Sequence, residues 1–249
     1  MKRLIRAELL KLRTTRTFWW TIAVTLAFTP LSVFLSVQSA GDNGTAPLDS
    51  TEGFRNVIAA ASSGGILMIV IGIIALAGEY RFNTITSTLL VTPNRRRMLG
   101  AKLATIGLVG LGVGIASALL TLVVALPWLA SRDVDLGAHG TDIVVVVLGS
   151  IGATAIGGIV GVGIGALVTN QTVAITVALI WTLLVESMLT NFASDVGRWF
   201  PGGAASAMSG VAPANGDLLP MWAAALVFAG YGLAFATVGS RFVLDRDVT

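Results

Sequence analysis

Six runs of about twenty or more residues, apolar and almost free of charge, divide this chain. They cover 18–38, 54–78, 101–130, 143–168, 172–192 and 221–239. A helix rising 1.5 Å per residue crosses ~30 Å of hydrocarbon with about twenty residues. Only 12% of the 249 residues are charged, about half of the ~25% usual in soluble domains. The fold class expected from these runs is an all-α integral membrane protein with six transmembrane helices. The absence of cysteine excludes disulfides and thiolate metal sites, and a single histidine, His139, argues against a histidine-based metal or proton-relay site.

The pieces between the runs carry the charge. The segment 79–102 joins the second and third runs and holds Glu79, Arg81, Arg95, Arg96, Arg97 and Lys102. Five cations against one anion place that segment in the cytoplasm by the positive-inside rule. Six crossings return both termini to the same side. On that arrangement thirteen of the sixteen Lys and Arg residues are cytoplasmic, and only Arg55, Arg132 and Arg198 lie outside. Most acids fall on the outer pieces, including Asp49, Glu52, Asp133, Asp135, Asp142 and Asp195. The weakest boundary is the uncharged turn at 169–171; without it the fourth and fifth runs would fuse into one impossibly long helix.

Residues 1–17 hold six cations and one acid, Glu8, with Leu4, Ile5, Leu9 and Leu12 at helical spacing. This predicts an amphipathic helix lying on the membrane surface, with Glu8 inside its apolar arc. A basic tail that only sets topology is the alternative. No small-residue cleavage pattern follows, so a cleaved signal is not expected. Trp19 and Trp20 suit the interface, and Pro30 can kink the first run. A short charged tail, 241–249, closes the chain.

Three features inside the runs invite a role. Gly149, Ala153, Gly157, Gly161 and Gly165 recur every fourth residue, a spacing that lets helices approach closely, either within the chain or between subunits. Glu186 is the one ionisable residue well inside a run. It is either a polar contact on a substrate path or a group that snorkels to the outer interface. Trp181 and Asn191 are its polar or amphipathic companions on that path. The segment 195–220 contains Trp199, Phe200, Pro201, Gly202 and Gly203, followed by small residues. It is apolar enough for a short re-entrant helix through Ala204 to Met208. No phosphate-binding GxxxxGK[ST] run, Ser/His/Asp set or metal-ligand cluster is present, so energy for uphill transport must come from another chain.

Within the basic segment, 82–90 is compatible with a short helix stopped by Pro93, after which 94–102 re-enters the membrane through a basic collar. The start LIRAELLKLRTTRTFWW, the segment GEYRFNTITSTLLVTPNRRRMLGAKL and the later PGGAASAM together resemble the permease subunits of ABC-2 type transporters, in their small actinobacterial-style form. The resemblance covers nearly the whole chain and divides it into an elbow helix (1–17), a six-helix domain (18–240) and a tail (241–249). It implies that 79–102 is a coupling loop contacting an ATPase subunit. Glu79, Tyr80, Arg81, Phe82, Thr84, Thr86 and Leu89 would then transmit ATP-driven motion, and Arg95, Arg96 and Arg97 would hold the loop at the inner surface. The turn at 169–171 would be a second, smaller contact, and 195–220 the outer re-entrant segment.

The same resemblance implies no catalytic residue or cofactor on this chain, with ATP and Mg bound by two partner ATPase subunits. It implies a second copy of the chain, or a similar permease, as dimer partner in the plasma membrane, and no nucleic acid. The expected function is export of a lipophilic compound, drug or peptide. The alternative is a membrane sensor or antibiotic-resistance module that binds such a compound without moving it. A secondary transporter is weakened by the scarcity of intramembrane charge.

Overall fold

The computed structural model describes residues 1–41, 45–92, 94–211 and 218–245. All regular structure among them is helical, and six helical stretches are long and apolar enough to span a membrane. The chain is a multi-pass membrane protein. Helix α1 (Lys2–Thr14) is followed by Thr15 in extended geometry, a one-residue elbow that redirects the chain into α2 (Arg16–Ser39). Pro30 lies inside α2 without ending it. The amphipathic helix expected over 1–17 is therefore α1, with residues 16–17 belonging to the first span.

The second apolar run is not one helix. It comprises α3 (Thr51–Ile58), a tight 3-10 turn (Ala59–Ser62) and α4 (Gly65–Arg81). The break falls at Ser62-Ser63-Gly64-Gly65, where two glycines weaken the helix and where a Cβ on Gly64 would strike the Thr25 side chain of α2. At its other end α4 runs on to Arg81, so Glu79, Tyr80 and Arg81 are helical rather than part of a loop. Helix α5 (Ile85–Val91) is the short helix expected over 82–90, starting three residues later.

Helix α6 (Arg95–Ala130) has 36 residues, or about 54 Å of rise. It therefore projects beyond the hydrocarbon, and the basic residues expected to form a collar make up its first turn. Asn94 opens it by accepting a hydrogen bond from the Arg97 amide at 3.1 Å. Pro93, expected to stop the preceding helix, lies outside the described residues.

Helix α7 (Gly140–Leu167) is central and packs against α4, α6 and α12 (Met221–Asp245). Its small residues face neighbours of the same chain. A Cβ on Gly161 would collide with the Ile69 carbonyl of α4, and one on Gly165 would lie 3.0 Å from the Ile73 carbonyl. Gly157 meets Gly65 of α4, and Gly149 meets the Met208 carbonyl, so the stripe serves packing within the subunit. The 169–171 turn is real: α7 stops at Leu167 and α8 (Gln171–Ile180) begins after Asn170, whose side chain accepts from the Val173 amide.

The fifth span continues α8 through a π-helical segment (Trp181–Val185) into α9 (Glu186–Phe192). The segment expected to re-enter contains α10 (Ser194–Gly197) and α11 (Pro201–Met208), with proline in the first turn of α11. Residues 212–217, and 246–249 of the charged tail, lie outside the described residues; Arg241 belongs to α12.

Candidate functional site

Helices α1, α4, α5 and α6 meet at the face that carries the basic segments, around four charged side chains. Lys102, 1% exposed, lies about two turns into α6 among apolar neighbours. An ammonium so placed needs all three of its protons bound. Its Nζ donates to Glu8 Oε2 at 2.6 Å, to Glu79 Oε1 at 2.8 Å and to the Ala75 carbonyl at 3.0 Å. Lys11, half-exposed on α1, donates to Glu8 Oε1 and Glu79 Oε1, both at 2.9 Å, and to Thr88 Oγ1 of α5 at 3.2 Å. Two carboxylates and two ammonium groups balance. Burial pushes the Glu8 carboxyl up, but Lys102 and then Lys11 outweigh it and hold the group below its ordinary value. Burial likewise acts to lower Lys11, and its bonds to Glu8 and Glu79 hold it above its ordinary value.

This cluster explains why Glu8 interrupts the apolar arc of α1: the arc faces α6, and Glu8 meets Lys102 there. It also places Glu79, expected in a loop, at 8% exposure inside the protein. Neither Glu8, Lys11 nor Lys102 was assigned a coupling role by sequence. The signal for Glu8 and Lys102 was a lone charge on an otherwise apolar surface, which demands a partner; Lys11 gave none.

Glu79 also organises the backbone. Asn83 adopts a left-handed φ of 53°, which asparagine tolerates well. The Thr84 amide donates to the Glu79 carbonyl at 2.9 Å and the Asn83 amide to the Tyr80 carbonyl at 3.3 Å. This pairing is a Schellman ending for α4, and it turns the chain into α5 after three residues. Ile85 is buried with Phe18, Leu76 and Met98, anchoring α5. Phe82 (67% exposed), Thr84, Thr86 and Leu90 face outward. Arg81 is exposed and its guanidinium lies 5.5 Å from the Phe82 ring. Arg96 and Arg97 are exposed and Arg95 is half-buried. The side chain of Leu89 lies outside the described residues.

The second expected contact adjoins the first. Tyr80 and Arg81 line an open cleft of about 390 Å³ together with Thr169, Asn170, Gln171 and Thr172. The end of α4 and the turn between α7 and α8 thus form one recessed surface beside α5.

The candidates in the fifth span lie toward the opposite face. Trp181 Nε1 donates to Glu186 Oε1 at 2.7 Å, and the Trp181 ring meets Phe200 edge-on at 5.8 Å. Glu186 is 3% exposed and lies beneath α11, so it does not snorkel outward. It borders a cavity of about 340 Å³ between α4, α7, α11 and the second half of the fifth span. The side chain of Asn191 lies outside the described residues. No group of three His, Asp or Glu side chains suited to a metal occurs among the described residues.

No curated protein matches the chain. A family model described as ABC-2 family transporter protein matches residues 4–185, from the first turn of α1 to the end of the π-helical segment, well over half of the sequence. The match takes in α1, the ion cluster, α5, the first four spans and the fifth as far as its π-helical segment, and the chain belongs to the ABC-2 family of transporter proteins.

Proposed function

We propose that this chain is the permease subunit of an ATP-driven exporter of lipophilic compounds, drugs or peptides, and that α5 and its surroundings receive the stroke of a separate ATPase. Members of the family are membrane components of transport systems and are not themselves catalytic. The observation that carries the reading is the mounting of α5. The turn before it and α5 itself present Phe82, Thr86 and Leu90 outward, while the Schellman turn ties α5 to α4 and the Lys11–Thr88 bond ties it to α1. A push on α5 therefore reaches span two through the turn, and span three through α1 with its Glu8–Lys102 bond and through the packing of Ile85 on Met98.

From α4 the displacement passes to α7, because the glycine contacts leave no slack between those helices. The cleft lined by Tyr80, Arg81 and Asn170 supplies the second foothold for the ATPase. Arg95, Arg96 and Arg97 lie at the inner surface by the positive-inside rule, where they meet anionic lipid. Two permease copies, or this chain and a similar one, rock against each other as two ATPase subunits bind ATP and Mg and close.

The test is co-expression with an ATPase subunit encoded beside the gene, purification of the complex, and reconstitution into vesicles. Phe82→Asp in the α4–α5 turn with Thr86→Asp on the outer face of α5 is expected to abolish co-purification while the permease still folds. Alanine at Glu79, or at Arg95, Arg96 and Arg97 together, is expected to lower ATP-dependent flux at least tenfold. Unchanged pairing and flux in all of these variants would remove the coupling role. Ligand binding with no ATP-dependent flux in the native complex would favour a sensor instead.

A further inference from the structure

The cavity beside Glu186 has an unusual polarity. Ser62 Oγ donates to the Ala59 carbonyl at 2.8 Å, Thr190 Oγ1 to the Glu186 carbonyl at 3.0 Å and Ser209 Oγ to the Ala205 carbonyl at 3.0 Å. These three hydroxyls thus use their only proton on their own helix and offer the cavity lone pairs, while Thr182 and Ser206 add hydroxyls that can turn either way. The described lining residues include no Lys, Arg or His. Glu186 adds two further acceptor atoms. Trp181 satisfies Oε1, whereas Oε2 is buried against the Gly202 backbone and receives no hydrogen bond of good geometry. Ile66, Ile69 and Phe228 complete an apolar wall.

We propose that this cavity binds a small organic ammonium ion with an apolar body, its N–H groups on Glu186 and the hydroxyl oxygens. A buried carboxylate with one oxygen unpaired and no Lys, Arg or His in the described lining is left uncompensated by an anion or a hydrocarbon, and a cation bearing several N–H donors answers it. The volume of about 340 Å³ is at the small end of the ~300–1,000 Å³ of ligand pockets and far exceeds a bare alkali ion, whose walls would be oxygen throughout. The inference deepens the transport reading by naming a substrate class, and it rests on that reading only for what the site is for. Binding itself needs no ATPase.

The experiment uses the full chain in lipid nanodiscs and three probes with one apolar cage: 1-adamantylammonium, 1-adamantanol and 1-adamantanecarboxylate. Calorimetry at neutral pH, corrected with empty nanodiscs, is expected to show the ammonium binding at least about tenfold tighter than the alcohol, with the carboxylate weakest. Glu186→Gln is expected to erase the gap between ammonium and alcohol. Ser206→Phe, which fills the cavity from α11 without touching Glu186, is expected to abolish binding of both. Equal affinities for the three probes on the native chain would overturn the proposal. So would a gap that survives Glu186→Gln, ammonium binding unaffected by Ser206→Phe, or displacement of the ammonium by equimolar sodium. Because ATP and the ATPase are absent, failure here leaves the transport reading standing, and loss of coupling in flux assays leaves this site standing.

Discussion

Lys102 joins three helices through one nitrogen, and its removal is the sharpest test of how α1 is held. Lys102→Ala leaves Glu8 and Glu79 buried with only Lys11 between them. Breaking a buried pair from one side costs about 3–5 kcal/mol, so the thermal midpoint in detergent is expected to fall by several degrees. Lys102→Met with Glu79→Gln removes charge from both sides and is expected to recover much of the loss. An unchanged midpoint in Lys102→Ala would mean the cluster does not hold α1. The same group sets a pH window. Glu8 has its carboxyl lowered on folding, so its contribution is complete above the ordinary value of 4.5 and is lost as pH falls through the folded value. Lys11 is raised, so its contribution is complete below the ordinary value of 10.5 and is lost as pH rises through the folded value. Unfolding midpoints measured from pH 3 to 7 are expected to fall on the acid side, with Glu8→Gln flattening that limb.

At the scale of elements, the turn between α4 and α5 depends on Asn83. A β-branched residue at its φ of 53° pays about 1–2 kcal/mol in the left-handed region, whereas glycine pays none. Asn83→Val is therefore expected to misdirect α5 and weaken co-purification with the ATPase, and Asn83→Gly to preserve it; equal pairing in both would detach α5's setting from recognition. Elements differ in how far they can be read from sequence. The spans were legible because lipid demands length and hydropathy, and both are local. The small-residue stripe was legible as a close approach, but its partner α4 was not, since spacing carries no address. The break at Ser62–Gly65 was obscured because apolar composition hides an interrupted backbone ladder. Glu8 and Lys102 were each visible as misplaced charges. Their bond joins residues 94 positions apart, and only the packing of α1 on α6 brings them together. The π segment left no sequence signal, and it sits beside Glu186, where such bulges often mark functional positions.

At the scale of the whole molecule, the apolar faces of α2 and α8 remain uncovered in the single chain, with Trp20, Val24, Leu35, Val173 and Val177 all outward. Lipid or a second permease answers that surface, and either requires the protein to sit across a bilayer. We propose its orientation from charge alone. Arg96 stands on the face that gathers α1, α5 and the start of α6, whereas Arg132 stands at the far end of α6. By the positive-inside rule the first face is expected in the cytoplasm. The chain contains no cysteine, so a single introduced thiol reports without background. Arg132→Cys is expected to react with an impermeant maleimide on intact cells, and Arg96→Cys only after the membrane is opened. The reverse pattern would place α5 and its cleft outside the cell, beyond the reach of ATP. The ion cluster would then have to serve adhesion of α1 rather than the passage of a stroke from a cytoplasmic motor.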